Sequence, residues 1–173
     1  HLDYLDDPAN PCSQWSLDPE GSRQQARRTG FPPGVKVIHG HFHPAKYDFL
    51  GSARKITFIR HPVDSVMSIY FYWKTLDNGH CVADYFREQQ LTLLELARLP
   101  AIRYLLSRTY FGGMDMNKFE FIGFMESYAA DVRQLSHLLS IPMVEIKENL
   151  NTYPGYKDEV GSIRSDRRLI SAL

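Results

Sequence analysis

Apolar residues along this chain fall into short blocks whose spacing changes between strand and helix periods. Val35-Lys36-Val37-Ile38-His39 is β-branched and bounded by Gly34 and Gly40, which predicts a short strand. Lys55-Ile56-Thr57-Phe58-Ile59-Arg60 predicts the clearest strand, and His61-Pro62 follows at once. Proline is favoured at the first helical position, so a helix is predicted from there to about Leu76. Further helices are predicted over Val82 to Leu99, stopped by Pro100, and over Ala101 to Tyr110, stopped by Gly112-Gly113. Phe119 to Phe124 reads as a strand. Ser127 to Ser140 reads as an amphipathic helix with Val132, Leu135, Leu138 and Leu139 inward, and Met143 to Ile146 as one more strand. The tail from Asn149 is polar and loop-like before turning helical near Arg164 to Leu173. Residues 1–34, with Pro8, Pro11, Pro19, Pro32 and Pro33, read as mostly irregular, with a short helix over Arg23 to Arg28. Strands alternating with helices predict an α/β layer structure with a mainly parallel sheet, and no internal repeat interrupts it.

The helix after Arg60 has an unusual polar face. At 100° per residue, His61, Asp64, Ser65, Ser68, Tyr72 and Thr75 share one stripe, while Val63, Val66, Met67, Ile69, Tyr70, Phe71 and Trp73 cover the rest. Such a helix is largely buried. A solvated seam is the ordinary explanation of the stripe, but it carries small hydroxyls rather than Lys and Glu. It also begins at the carboxyl end of a strand, where open α/β sheets bind ligands. Backbone donors at the helix start, the Arg60 fork and a serine hydroxyl would together suit a phosphate.

Composition narrows the partners. The chain has 173 residues, enough for one domain with a core, and its 43% hydrophobic and 13% aromatic content excludes wholesale disorder. Lys plus Arg and Asp plus Glu balance at 20 each, so nothing global points to nucleic acid or a membrane surface, and any anion site must be local. No apolar run is long enough to span a bilayer. Cys12 and Cys81 stand 69 positions apart, which is not metal spacing. Two free thiols in a reducing compartment is the preferred reading over a single bridge.

His39-Gly40-His41-Phe42-His43 places three imidazoles at alternate positions, all to one side if strand geometry continues. Gly40 leaves room for a ligand or another backbone. Three readings compete: hydrogen-bonded structural histidines, a zinc site, and a general base. The zinc reading lacks nearby carboxylates, since the first after the cluster is Asp48.

Val37-Ile38-His39-Gly40-His41-Phe42, followed after a spacer by Ile56 through Arg60-His61-Pro62 to Ser68-Ile69-Tyr70-Phe71-Tyr72, resembles the carbohydrate sulfotransferases. The likeness is greatest to heparan sulfate 2-O-sulfotransferase and its bacterial relatives. It extends more loosely through Phe121 to Glu126 and the Asn149 to Glu159 loop, over roughly residues 35 to 170. The resemblance implies a P-loop-NTPase-like three-layer fold, with a mainly parallel sheet flanked by helices, in a single domain over 1–173. It implies a transferase using 3′-phosphoadenosine 5′-phosphosulfate (PAPS), which leaves PAP, and no metal. Arg60 and Ser68 match the residues that bind the 3′-phosphate. His41 matches the catalytic base, and His39 the histidine before it. The late loop is the one that closes over the nucleotide. His61 stands where the family usually has an acid and Ser65 where it often has Arg. No Gly/Ser/Thr-rich loop with a lysine precedes Val35 to hold the 5′-phosphosulfate, so the chain is expected to be a segment lacking one or both ends.

The function expected is transfer of a sulfuryl group from PAPS to a hydroxyl of a carbohydrate acceptor. The rivals are a P-loop kinase-like nucleotide enzyme, an inactive nucleotide- or glycan-binding module and, last, a zinc hydrolase. The expected location is cytoplasmic for a bacterial protein, and the Golgi lumen for a eukaryotic one. Oligomeric state stays open. Trp73, Tyr70 and Tyr72 could stack on a sugar, with core packing preferred for at least two of them. Lys157, Arg164, Arg167 and Arg168 are read first as a solvated helix face.

Overall fold

The computed structural model describes residues 1–15, 18–76, 80–146 and 151–173. Its strands are β1 (Leu2–Asp3), β2 (His39–Gly40), β3 (Ile56–Ile59) and β4 (Phe121–Phe124). Its helices are α1 (Pro19–Thr29), α2 (Pro62–Trp73), α3 (Cys81–Glu88), α4 (Leu93–Arg98), α5 (Pro100–Arg103), α6 (Tyr128–Leu139), α7 (Tyr156–Ser165) and α8 (Arg167–Ala172). The class is mixed α/β. The strands form two separate parallel pairs, β1 with β2 and β3 with β4. In the second, Ile56 stands opposite Phe121 and Ile59 opposite Phe124.

The predicted strand over 35–39 shrinks to two residues, because its partner β1 is itself two residues long. Val37 remains exposed. Gly40 is required here: a Cβ would fall inside contact distance of the Asp3 backbone carbonyl across the pair. The approach that this glycine permits is therefore that of another backbone. Residues 143–146 are not a strand; Val144 is 77% exposed and has no neighbour to pair with among the described residues.

α2 forms as its sequence directs. Pro62 fills the first position, Asp64 lies in the first turn, and Met67, Phe71 and Trp73 are buried. It ends three residues earlier than expected, where the Thr75 hydroxyl donates to the Tyr72 carbonyl. Two cores meet on it. Trp73 packs with Ala83, Phe86, Leu96 and Ile102. Met67 and Phe71 pack with Leu93 and Val160.

The single helix predicted over 82–99 is two. Gln90 adopts φ 51°, and Leu91 N–H returns to the Phe86 carbonyl, closing α3 as a helix C-terminus closes. Thr92 and Glu95 then make a reciprocal capping box that starts α4. Leu93 and Leu96 are thereby turned inward. α1 is longer than predicted, because the Asp18 carboxylate accepts from Gly21 N–H and Pro19 occupies the first turn.

The cysteines are not free. Cys12 and Cys81 form a disulfide with Cα atoms 6.4 Å apart, within the span that such a bond bridges. The expectation of two thiols fails because residues 1–15 are not a detached segment but fold back onto the start of α3.

Candidate functional site

The histidine cluster is built against residues 3–7. The pairing of β1 with β2 lays Asp3 beside Gly40, and His41 N–H continues the ladder to the Asp3 carbonyl. Tyr4 then reaches both His39 and His41. Its hydroxyl lies 3.0 Å from His39 Nδ1, and its ring meets the His41 ring edge-on at 5.1 Å. His41 Nδ1 lies 3.3 Å from Asp7 Oδ2. The His41 ring is 58% exposed, and its Nε2 makes no hydrogen bond among the described residues.

Asp7 is held from the other side. Its Oδ1 accepts from the Tyr110 hydroxyl at 2.7 Å and from Ala9 N–H at 2.9 Å. Burial pushes the Asp7 carboxyl up, but the bonds from His41, Tyr110 and Ala9 outweigh it and leave the group below its ordinary value. Burial and the Asp7 charge push the Tyr110 phenol up, so it stays a donor.

His43 departs from the expected row. The strand ends at Gly40, and Pro44 opens a 3₁₀ turn over Pro44–Tyr47. His43 Nδ1 accepts from Ala45 N–H and Nε2 donates to the Gly112 carbonyl, so both ring nitrogens are engaged locally. Among the described residues, no three His, Cys, Asp or Glu side chains are grouped to hold a metal ion.

Arg60 and Ser68 lie elsewhere, at the end of β3 and along α2. Arg60 is half-buried and makes no side-chain hydrogen bond or ion pair among the described residues. The neighbouring groups are acidic. Glu126, just past β4, accepts the His61 N–H at 2.7 Å at the start of α2. That bond, with Arg60 nearby, holds the Glu126 carboxyl below its ordinary value despite Asp64. Asp64 in turn is paired with Arg164 of α7 at 2.9 Å. Asn151 donates to the Ser68 carbonyl at 3.3 Å, and Tyr153 stacks on Phe71, so residues 151–153 of the late loop lie on α2. Asn149 and Leu150 of that loop fall outside the described residues. Trp73 is core and Tyr70 packs on Phe71 and Phe86, whereas Tyr72 is 44% exposed.

The structure thus joins His39 with His41 and sets Arg60 directly after the strand that leads into the helix of Ser68. No hydrogen bond, ion pair or ring contact among the described residues links the two pairs. Two small hollows are lined by Arg23, Arg27, Asp48 and Phe49, and by a set including Asp6, Ser22, His43 and Lys46; neither includes any of the four. Sequence reasoning missed Asp7 and Tyr110. It also missed a buried network in which Lys46 Nζ contacts Asp3 at 2.5 Å and Asp6 at 2.7 Å, with Tyr47 and Ser22 donating to the same carboxylates. The only signal was the density of acids in Leu2-Asp3-Tyr4-Leu5-Asp6-Asp7, in a stretch otherwise read as irregular.

Comparison of the chain with protein-family models, curated proteins and solved structures finds no match.

Proposed function

We propose that the protein transfers a sulfuryl group from PAPS to a carbohydrate hydroxyl, with His41 as the base, within a P-loop-NTPase-like three-layer fold. One observation carries the reading: an exposed imidazole directs one nitrogen at a carboxylate and leaves the other without a hydrogen bond among the described residues, beside a strand end. An imidazole so placed accepts a hydroxyl proton at Nε2, which is worth roughly 10²–10⁴-fold in rate. His39, tied to the same Tyr4, orients the acceptor or the base. The Arg60 guanidinium makes no hydrogen bond or ion pair among the described residues, though the Glu126 carboxylate lies near it, and would serve a phosphate; Ser68 stands two turns along the helix that follows. The donor supplies the activated sulfur, and no metal is called for. Glu126 takes the helix-start donor that a 3′-phosphate would otherwise use, which leaves Arg60 and Ser68 as the groups that would hold it.

A second reading, nucleotide or glycan binding without transfer, is favoured by the lack of any described contact joining His41 to Arg60. The same measurements separate the two. His41→Ala should abolish transfer and leave PAP affinity unchanged, while Arg60→Ala should weaken PAP binding measured by calorimetry. Full turnover in the His41 variant would reject it as base. PAP binding by the unaltered protein without transfer to any sugar acceptor would favour the module. A disulfide persists in oxidising compartments, so Cys12–Cys81 favours an extracytoplasmic or lumenal place. Among the described residues, no helix is long and apolar enough to cross a membrane.

A further inference from the structure

We infer that Asp7 is a positioning residue that fixes His41 as the Nδ1–H tautomer, with Tyr110 and Ala9 fixing which oxygen of Asp7 faces the imidazole. The inference rests on the reading of His41 as base, and its geometry is independent of the acceptor.

The two oxygens of the Asp7 carboxylate are divided between different partners. Oδ1 accepts two donors, and one of them cannot reverse. The Ala9 N–H is backbone, 2.9 Å away, two residues on in an Asx turn. Pro8 between them has no N–H, so Ala9 supplies the first backbone donor available to this turn. The Tyr110 hydroxyl, at 2.7 Å, is half-buried. With Oδ1 spent, Oδ2 is left for His41 Nδ1 at 3.3 Å. An ionised carboxylate only accepts, so Nδ1 must carry the hydrogen in the neutral ring. The lone pair is then on Nε2, the nitrogen without a partner among the described residues. A base needs its lone pair there, facing the acceptor, and a ring free to choose its tautomer would hold it there only part of the time.

The same division predicts what an isosteric change does. In Asp7→Asn the amide oxygen must take the Oδ1 position, because the Ala9 N–H points at it and can only donate, and the Tyr110 hydroxyl can then keep donating there. The NH2 group is then forced into the Oδ2 position and donates to His41 Nδ1. The imidazole must answer as an acceptor at Nδ1 and carry its hydrogen on Nε2, so the nitrogen that should take a proton already has one. The side chain keeps its volume, and the contacts to Ala9 and Tyr110 survive.

The test is nitrogen-15 NMR of the ring of His41 in the ring-labelled protein at a pH where imidazole is neutral, assigned by the loss of its signals in His41→Ala. The unaltered protein should show a pyrrole-type Nδ1 and a pyridine-type Nε2. Asp7→Asn should exchange the two, and its transfer rate should fall roughly 10²–10⁴-fold, the worth of a positioned base. A pyridine-type Nδ1 in the unaltered protein would overturn the inference without reference to any variant. So would an unchanged tautomer in a folded Asp7→Asn. Absence of transfer by the unaltered protein would instead strike the proposed function, and the nitrogen shifts would still decide the role of Asp7.

Discussion

Replacing Lys46 by methionine would leave two carboxylates buried side by side with no cation. Lys46 is 9% exposed, and Asp3 and Asp6 are 3% and 5% exposed, so water cannot substitute for the ammonium. Removing one partner of a buried charged set costs about 3–5 kcal/mol, because the remaining charge stays desolvated. Tyr47 and Ser22 still donate to the two carboxylates, which favours the lower part of that range. For a chain of this size each kcal/mol moves Tm by roughly 2–4 °C, so Lys46→Met should melt roughly 6–20 °C lower near pH 8. In the unaltered protein burial pushes the Asp3 carboxyl up, but Lys46 and Tyr47 hold it below its ordinary value. A depressed carboxyl contributes stability above the unfolded value of about 3.9 and loses it as pH falls through the folded one. Without Lys46, burial dominates, the folded value rises above the unfolded one, and the sign reverses: protonation now favours the folded state. The deficit should therefore shrink between about pH 8 and about pH 5, as protonation of Asp3 relieves the buried charge. Thermal melts followed by circular dichroism at both pH values measure it. A deficit that is the same at both, or no deficit at all, would refute the account. Adding Asp3→Asn and Asp6→Asn to Lys46→Met should recover most of the loss.

Reduction of Cys12–Cys81, or Cys12→Ser with Cys81→Ser, opens a loop of 69 residues. The chain-entropy relation assigns such a loop about 4 kcal/mol, or roughly 8–16 °C in Tm; melts with and without a dithiol check it, and equal melting temperatures would show that the bridge does not form or does not constrain the unfolded chain. Glu126→Gln keeps an acceptor for the His61 N–H but removes the charge where a 3′-phosphate would approach. It should tighten PAP binding several-fold at low salt and less at high salt, since the carboxylate is exposed to screening. Calorimetry that shows weaker or unchanged binding would place the phosphate away from the start of α2.

What the sequence disclosed, and what it hid, divides by the range of the interaction. β3 and the start of α2 were legible because alternating apolar residues ending in His61-Pro62 encode them locally, and β4 and α6 for a like reason. The break between α3 and α4 was written in Thr92-Leu93-Leu94-Glu95 but was masked by apolar residues continuing at helical spacing on both sides. The candidate histidines were legible as a cluster. Their orienting groups were not, because Asp7 precedes His41 by 34 residues and is 103 from Tyr110, and no local pattern records such pairings. A single, mainly parallel sheet was expected from the alternation of strands with helices, and alternation does not say whether two strand pairs share an edge.

Residues 1–15 show why a stretch without periodicity need not lack structure. Their order comes from partners, not from propensity. Leu2–Asp3 pairs with His39–Gly40, Asp3 and Asp6 hold Lys46, Asp7 holds His41, and Cys12 is bonded to Cys81. Four consecutive attachments on one short segment make each depend on the others. Asp7 follows Asp6 directly, so the geometry at His41 is only as fixed as the anchoring of Asp6 by Lys46 and of Cys12 by the disulfide. The two kinds of residue thus act on one property from different distances: Asp7 through the tautomer of the imidazole, Lys46 and Cys12 through the backbone that carries Asp7. A change at Asp7 should alter the His41 ring without lowering Tm much, and a change at Lys46 should lower Tm first and loosen the ring as a consequence. That order is what distinguishes a positioning carboxylate from its foundation.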